Sequence, residues 1–395
     1  MNQAQHASIE FSLIWNSAQA AHGDRLFVPK TDFRRDIFPG SMAQELQQLQ
    51  PGERIEQVFP AGELVEPWKS RDVRRIPLAG FRRDFKGLNL SPQAGRFYPG
   101  GVIAGASEYD PGEIRPFRVV EVADDRLTVD LNHPLAQYPL TVTATVTAHL
   151  GWQAQRGGSG QDIAGMLTGK GPGLQARNGT GLEYSFPLSR VDDKDDSLFY
   201  AVPRMVDHID ARSDEILTSI YSRQVQPASS VLDLMTSWTS HLDTSIKDLA
   251  VTGIGMNREE LEANPLLSQR LLQDLNSTPA LPFDDNSFDT VLCSLSVEYL
   301  TSPLEVFNEV RRVLKPGGAF INSFSERWFP TKAVTLWTRM HPFERIGMVL
   351  DHYIATGFAD LQTESVRGHL RPENDRYRGM SPFSDPVYVV AGRKP

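Results

Sequence analysis

Val231-Leu232-Asp233-Leu234 and Val251-Thr252-Gly253-Ile254 are two short, mainly apolar runs separated by a stretch that reads as helical. Each has the length of a buried strand. Upstream, Ile209 to Tyr221 has a helical pattern in which Ile216, Leu217 and Ile220 share a face. Downstream, Leu281-Pro282-Phe283-Asp284-Asp285-Asn286-Ser287-Phe288-Asp289-Thr290-Val291 sets a turn before a strand. An amphipathic helix follows from Glu305 and is stopped by Pro316-Gly317-Gly318, with a strand over Ala319 to Ser323. Gly357-Phe358 precedes one further strand, and Val387-Tyr388-Val389-Val390-Ala391 forms another. This alternation of strand and helix implies a parallel sheet with crossover helices, so residues 208–395 are predicted to be a doubly wound α/β domain.

A chain of 395 residues exceeds one ordinary core and predicts a multi-domain protein. Residues 1–150 form a second zone of short β-type runs, among them Ser8 to Trp15, Phe117 to Val122, Leu127 to Leu131 and Leu140 to Val146. It is predicted to be mostly antiparallel β. Between the two lie residues 151–207, with Gly157-Gly158-Ser159-Gly160, Gly169-Lys170-Gly171-Pro172-Gly173 and the acidic Asp192-Asp193-Lys194-Asp195-Asp196. Their composition predicts a Gly-rich linker or irregular arm.

The net charge of -9 and pI near 5.5 argue against broad capture of nucleic acid or an anionic membrane, leaving small molecules or proteins as partners. Met1 to Glu10 lacks the pattern of a secretory signal, and no apolar run is long enough to span a bilayer. Cys293 is the only cysteine, so no internal disulfide or thiolate metal cluster forms, and a cytoplasmic protein without a metal centre is predicted. Cys293 itself, inside an apolar strand, reads as a small buried hydrophobe.

Leu281-Pro282-Phe283 with Ser287-Phe288-Asp289, the helix end Arg311-Arg312-Val313-Leu314-Lys315-Pro316-Gly317-Gly318 and the closing strand resemble the type 11 family of class I S-adenosylmethionine-dependent methyltransferases. The resemblance implies a Rossmann-like fold and S-adenosylmethionine as cofactor. It places the cofactor site at Asp233, Met235, Ser237, Gly255, Asp274 and Leu275. In the family the first strand runs into Gly-x-Gly-x-Gly; here those positions are Met235, Ser237 and Thr239. The acidic residue that would face the ribose is replaced by Gly255, whereas Asp233, Asp274 and Leu275 match. Side chains in a loop that glycine normally keeps open predict a clash with the usual cofactor pose, hence an altered pose or a scaffold without catalysis. Taken alone, Asp274 is a turn cap and Trp238 loop packing. Ser323 to Pro330 lies beyond a strand's carboxyl end and either lines a substrate pocket or covers the sheet.

Ile37-Phe38-Pro39-Gly40, the helix through Leu46 and Leu49, and Pro51-Gly52-Glu53-Arg54 resemble FKBP-type peptidyl-prolyl isomerases. Gly95-Arg96-Phe97-Tyr98, Arg126 to Leu131 and Asn132-His133-Pro134-Leu135-Ala136 resemble the SlyD branch, whose β insert in the flap holds unfolded chains. Prolyl isomerisation needs a dry aromatic pocket and no acid or base. The resemblance therefore implies a catalytic pocket of Trp15, Ile37, Phe38 and Tyr138, with proline-containing or unfolded polypeptide as partner. Two elements depart from the family: Leu26-Phe27-Val28 stands near the expected aspartate, and Leu64-Val65-Glu66-Pro67-Trp68 replaces the flap turn. His133 reads as a turn or strand-end hydrogen bond. The leading expectation is an isomerase or chaperone-like protein carrying a methyltransferase-like domain. The alternative is a methyltransferase for a small-molecule or protein acceptor, with the N-terminal module holding substrate. A third reading makes both modules inactive scaffolds.

Overall fold

The computed structural model describes residues 5–85, 87–103, 113–151, 159–177, 181–182 and 184–395; Gly157 and Gly158 of the predicted arm lie outside them. Two compact units emerge. The first comprises residues 1–17, 30–185 and 341–348; the second comprises 18–29, 186–340 and 349–395.

In the first unit β1 (His6–Asn16), β3 (Arg54–Phe59) and β10 (Leu140–Leu150) form an antiparallel sheet in the order β1-β10-β3, with α1 (Met42–Leu46) beside β3. The strand β2 (Ala21–Asp32) contributes its residues through Pro29 to the second unit. Between β3 and β10 the chain inserts β4 (Val73–Pro77), the short pair β5 (Asp84–Phe85) and β6 (Leu88–Asn89), then β7 (Phe97–Pro99), β8 (Pro116–Val122) and β9 (Arg126–Asp130). The order β4-β9-β8-β7 makes a four-stranded antiparallel sheet with its own core of Phe81, Tyr98, Phe117, Val119, Leu127 and Val129. Alternation of buried and accessible residues along β9 and β10 is the period-2 pattern that the sequence displays.

The described residues of the predicted arm divide between the two units. Residues 159–177 pack within the first unit, where α2 (Ile163–Thr168) buries Ile163 and Leu167 and is capped by Asp162, whose carboxylate accepts from the Gly165 N–H at 2.8 Å. Its glycines serve close approach: a Cβ on Gly173, whose φ is +94°, would lie 2.8 Å from the Pro134 Cβ. Residues 186–207 belong to the second unit instead and include α3 (Asp196–Tyr200).

The rest of the second unit contains α4 (Ala211–Ser222), β11 (Ser230–Leu234), β12 (Ala250–Gly255), α5 (Arg258–Ala263), β13 (Leu267–Leu272), β14 (Phe288–Ser294), α6 (Pro303–Val313), β15 (Leu314–Phe324) and α7 (Thr335–Thr338). After α8 (Pro342–Ala355), which both units share, come β16 (Ala359–Arg367) and β17 (Val387–Arg393). The strand order is β13-β12-β11-β14-β15-β17-β16-β2. Strands β13 through β15 are parallel, β17 is antiparallel to both neighbours, and Ala21–Leu26 of β2 adds a parallel strand at the β16 edge. Polar pairs fix that last register: Ser365 Oγ donates to Asp24 at 2.9 Å and Arg25 Nη1 to Glu364 at 3.0 Å. The predicted boundary at residue 150 thus separates this strand from the sheet it completes.

One predicted element is absent. Residues 235–249, between β11 and β12, form no helix. Short polar side chains there bond locally and compete with helical backbone: the Thr236 hydroxyl donates to Asp233 at 2.6 Å and the Ser245 N–H to Asp243 at 2.8 Å. Met235, His241 and Asp248 take φ of +53°, +54° and +59°, which no right-handed helix accommodates.

The sheet buries Val231, Val251, Leu292, Ile321 and Val389 against Ile216, Leu217 and Ile220 of α4, the apolar face predicted for that helix. Near α8, the buried Tyr353 hydroxyl accepts from Asn322 Nδ2 at 2.8 Å and lies 3.1 and 3.0 Å from the Phe320 and Val390 carbonyls. Tyr353→Phe strands these polar groups, and urea unfolding is expected to show a loss of about 1–3 kcal/mol. A change under about 0.5 kcal/mol contradicts a structural role for that hydroxyl.

Candidate functional site

Above the carboxyl ends of β11, β12, β13 and β14 the second unit opens a cleft of about 940 Å³, its mouth included. Its floor is the loop Met235–Thr239 together with His241; its sides come from Met256, Asn257 and Glu260, from Gln273–Asn276, and from Ser294–Ser296 with Tyr299 and Phe329. Open α/β sheets bind ligands at this end, where strand order reverses about the first strand. The order β13-β12-β11-β14 places that reversal at β11.

Side chains, not glycines, shape the loop. Met235 holds the left-handed backbone angle that favours glycine, at a cost of about 1 kcal/mol. Thr236 N–H donates to the Ile254 carbonyl at 2.8 Å, and its hydroxyl donates to Asp233 at 2.6 Å. Ser237 Oγ donates to Glu260 at 2.6 Å, while Asn264 Nδ2 reaches the Ser237 carbonyl at 3.0 Å and Ser240 Oγ at 2.9 Å. Trp238 Nε1 donates to the Val206 carbonyl at 3.1 Å. His241 Nδ1 meets the Asp214 carboxylate of α4. Every turn of the loop therefore has a fixed partner.

The predicted cofactor residues come together, with altered roles. Asp233 is fully buried, and burial pushes its carboxyl up to about 6 despite the Thr236 and Ser240 hydroxyls. Met235, Ser237, Asp274 and Leu275 line the cleft. Asp274 also caps its own turn, accepting from Asn276 N–H at 2.9 Å and Ser277 Oγ at 2.6 Å. Gly255 is a packing requirement: a Cβ there would lie 2.4 Å from the Thr236 carbonyl. An acidic side chain at 255 would therefore displace the loop, and the carboxylate in this part of the cleft comes from Glu260 on α5 instead. Met235, Ser237 and Thr239, the side chains expected to crowd the usual cofactor pose, stand in the cleft's wall.

Sequence reasoning missed Asn257, Glu260 and the whole 186–208 segment. Asn257-Arg258-Glu259-Glu260 carries the helix-start signature of a cap followed three residues later by Glu, and Asn257 Oδ1 accepts from Glu260 N–H at 3.1 Å. The Glu260 carboxylate, however, turns to Ser237 and to the Arg204 N–H, the latter at 2.6 Å. Asp196, Tyr200 and Arg204 of the former arm, with His208 just after it, form the cleft's remaining wall. Asp196 anchors it: the carboxylate accepts from Arg190 at 2.8 Å and Asn276 at 3.0 Å, and pairs with buried Lys332 at 2.9 Å. Burial raises its carboxyl, but these partners win and hold it below the usual range. Burial, chiefly, lowers the His208 pKa. Phe329, from the segment predicted beyond β15, packs edge-on to His208 with ring centroids 5.8 Å apart. Cys293 is buried in β14.

The four residues predicted for an isomerase pocket do not gather around one cavity. Trp15 is buried against Tyr138, centroids 4.9 Å apart, whereas Phe38 stacks on Phe33 at 5.3 Å. Ile37 is 61% exposed. Its N–H donates to the Gln161 carbonyl at 2.8 Å and its carbonyl accepts from Ile163 N–H at 2.9 Å, while α2 packs on β1. The segment read as linker thus occupies the main chain that was to grip proline. None of the four lines the cleft of this unit that is bounded by Leu64–Pro67 and Asn132–Pro134. There His133 Nδ1 accepts from Leu135 N–H at 3.1 Å, the local hydrogen bond predicted, and burial pushes its pKa down to about 4. Among the described residues no group of three or more His, Cys, Asp or Glu is placed to hold a metal ion, and no helix is long and apolar enough to cross a membrane.

Replacing Met235 with Gly relieves the positive φ, and chemical denaturation is expected to show a gain of up to about 1 kcal/mol. Asp233 has a raised folded pKa, so the folded state binds the extra proton. Its stability contribution is highest below about pH 4 and is lost as pH rises to about 6, amounting to about 2–3 kcal/mol. Asp233→Asn removes that dependence; the gap in unfolding free energy between variant and wild type should shift in favour of the variant from pH 4.5 to pH 7, and a constant gap refutes the assignment.

Residues 237–322 match the family model described as a methyltransferase domain. An uncharacterized methyltransferase of Mycobacterium leprae is 31% identical over 163 residues, covering 40% of this chain and 55% of that protein. A ubiquinone/menaquinone biosynthesis C-methyltransferase of Ruegeria is 29% identical over 143 residues, covering 35% of this chain and 55% of that protein. The chain spans about half the length of these curated relatives. Among solved structures, a putative methyltransferase of Bacillus halodurans aligns over 46% of this chain and 99% of its own with 14% identity and a TM-score of 0.34. The sheet order, the cleft at its reversal point and the family match together show that the second unit carries a class I methyltransferase domain.

Proposed function

We propose that the second unit binds S-adenosylmethionine in the cleft above β11 and that the chain is an S-adenosylmethionine-dependent methyltransferase. The observation that carries this reading is Met235, which keeps a glycine-type backbone angle at the end of β11 although its side chain disfavours it. Backbone strain of this kind gathers at ligand-binding positions. The cleft residues fit the group. Asp274 and Leu275 would flank the adenine, Asn257 and Glu260 the ribose, and the loop from Met235 to Thr239 the methionine part. The bound group supplies an electrophilic methyl carbon on a sulfonium. The chain's own contribution is to fix that carbon's position and to exclude water with Tyr200, Tyr299 and Phe329, which gives orientation rather than acid–base chemistry the leading part. The expected result is saturable one-to-one binding of S-adenosylhomocysteine by calorimetry, weakened about fivefold by Asn257→Ala, since one good hydrogen bond is worth about 1 kcal/mol. Absence of binding at millimolar ligand refutes the proposal.

A second reading attaches to the first unit, favoured by the four-stranded sheet inserted between β3 and β10. It makes this unit a holder or isomerase of extended polypeptide. A protease-coupled proline-peptide assay with the full chain tests it: acceleration removed by Phe38→Ala supports catalysis, and the uncatalysed rate excludes it.

A further inference from the structure

We propose that Arg204 is the receptor for the α-carboxylate of the S-adenosylmethionine-type ligand, a role that rests on the cofactor reading above. The cleft is acidic, with Asp196, Glu260 and Asp274 in its wall, which suits a sulfonium and repels a carboxylate. Among the described lining residues Arg204 is the one lysine or arginine. Burial lowers the pKa of His208, which favours its neutral form and leaves the guanidinium as a permanent positive charge on that wall.

The guanidinium is held but not neutralised. Its Nη2 donates to the Phe199 carbonyl at 2.8 Å and its Nη1 to the Val202 carbonyl at 3.3 Å; among the described residues it forms no ion pair. Both neighbouring carboxylates are committed elsewhere: Asp196 to Arg190 and Lys332, and Glu260 to Ser237 Oγ and the Arg204 main-chain N–H. The aromatic rings strip water from its faces, with the guanidinium carbon 4.2 Å from the Phe199 centroid, 5.4 Å from Phe329 and 5.9 Å from Tyr200. A planar, partly desolvated guanidinium with unused donors matches a carboxylate. Position agrees with charge. Ser237 Oγ and the Arg204 main-chain N–H both donate to Glu260, so the backbone that carries the cation is tethered to the loop beside which the amino acid part of the ligand belongs.

A carboxylate on the methyl acceptor has the same chemistry, and two ligands separate the sources. S-adenosylhomocysteine carries the amino acid group; 5′-methylthioadenosine is the same nucleoside without it. Calorimetry on the full chain should find wild type preferring the first. Arg204→Met, which keeps the stem against Phe199, should weaken S-adenosylhomocysteine about 10- to 100-fold and leave 5′-methylthioadenosine within about twofold. Arg204→Lys should fall between, and thermal unfolding confirms that each variant is folded. Equal loss for both ligands, or no loss for either, overturns the assignment, the second result transferring Arg204 to the acceptor. Wild type binding neither ligand overturns the cofactor reading and this inference together.

Discussion

The left-handed turn at Met235 is the constraint around which the second unit is organised. Once the chain leaves β11 in that conformation, residues 236–241 cannot form a helix, and their main chain needs partners from elsewhere. Ile254 and Asn264 bind that main chain, Asp233, Glu260 and Val206 take the side chains of Thr236, Ser237 and Trp238, and each tie fixes another element of the cleft. Gly255 must lack a side chain because the Thr236 carbonyl lies where a Cβ would stand. A loop that related folds build from glycine freedom is built here from hydroxyl and amide hydrogen bonds.

This substitution of means has a physical logic. Glycine permits a tight turn but costs chain entropy on folding, whereas Ser, Thr and Asn lose less and can donate or accept on their own account. Their bonds also recruit residues distant in sequence. The ties that secure the 186–208 segment include the buried Asp196 with Arg190, Lys332 and Asn276, the Arg204 N–H on Glu260, and the Val206 carbonyl with Trp238. A wall so anchored presents aromatic rings and one cation to an otherwise acidic cleft.

In the first unit the same theme of close packing by an irregular segment recurs. Glycines at 171 and 173 let residues 159–177 lie against Pro134 and Phe343, so a stretch rich in flexible residues becomes ordered by what it touches. Ile37 illustrates the consequence, since its main chain is paired with Gln161 and Ile163 while its side chain faces outward.

By itself the sequence determined the periodic elements. The buried runs at 231–234 and 251–254, the one-sided helix before them, and the Pro-Gly-Gly stop after α6 are local patterns whose period and punctuation allow few folds. Its resemblance to the type 11 methyltransferases also placed Asp233, Asp274 and Leu275 at one site, and in the fold they stand at or just beyond the carboxyl ends of the parallel strands β11 and β13. Only the tertiary structure decided the rest. Whether residues 235–249 coil or turn depended on partners at 254, 260 and 264; whether Gly255 was a loss depended on a carbonyl packed against it; and the fate of 151–207 depended on contacts with two different units. Hydrogen bonds and close approaches between residues far apart in the chain leave no period in sequence, so the wall that Asp196, Tyr200 and Arg204 supply was invisible until the chain was folded.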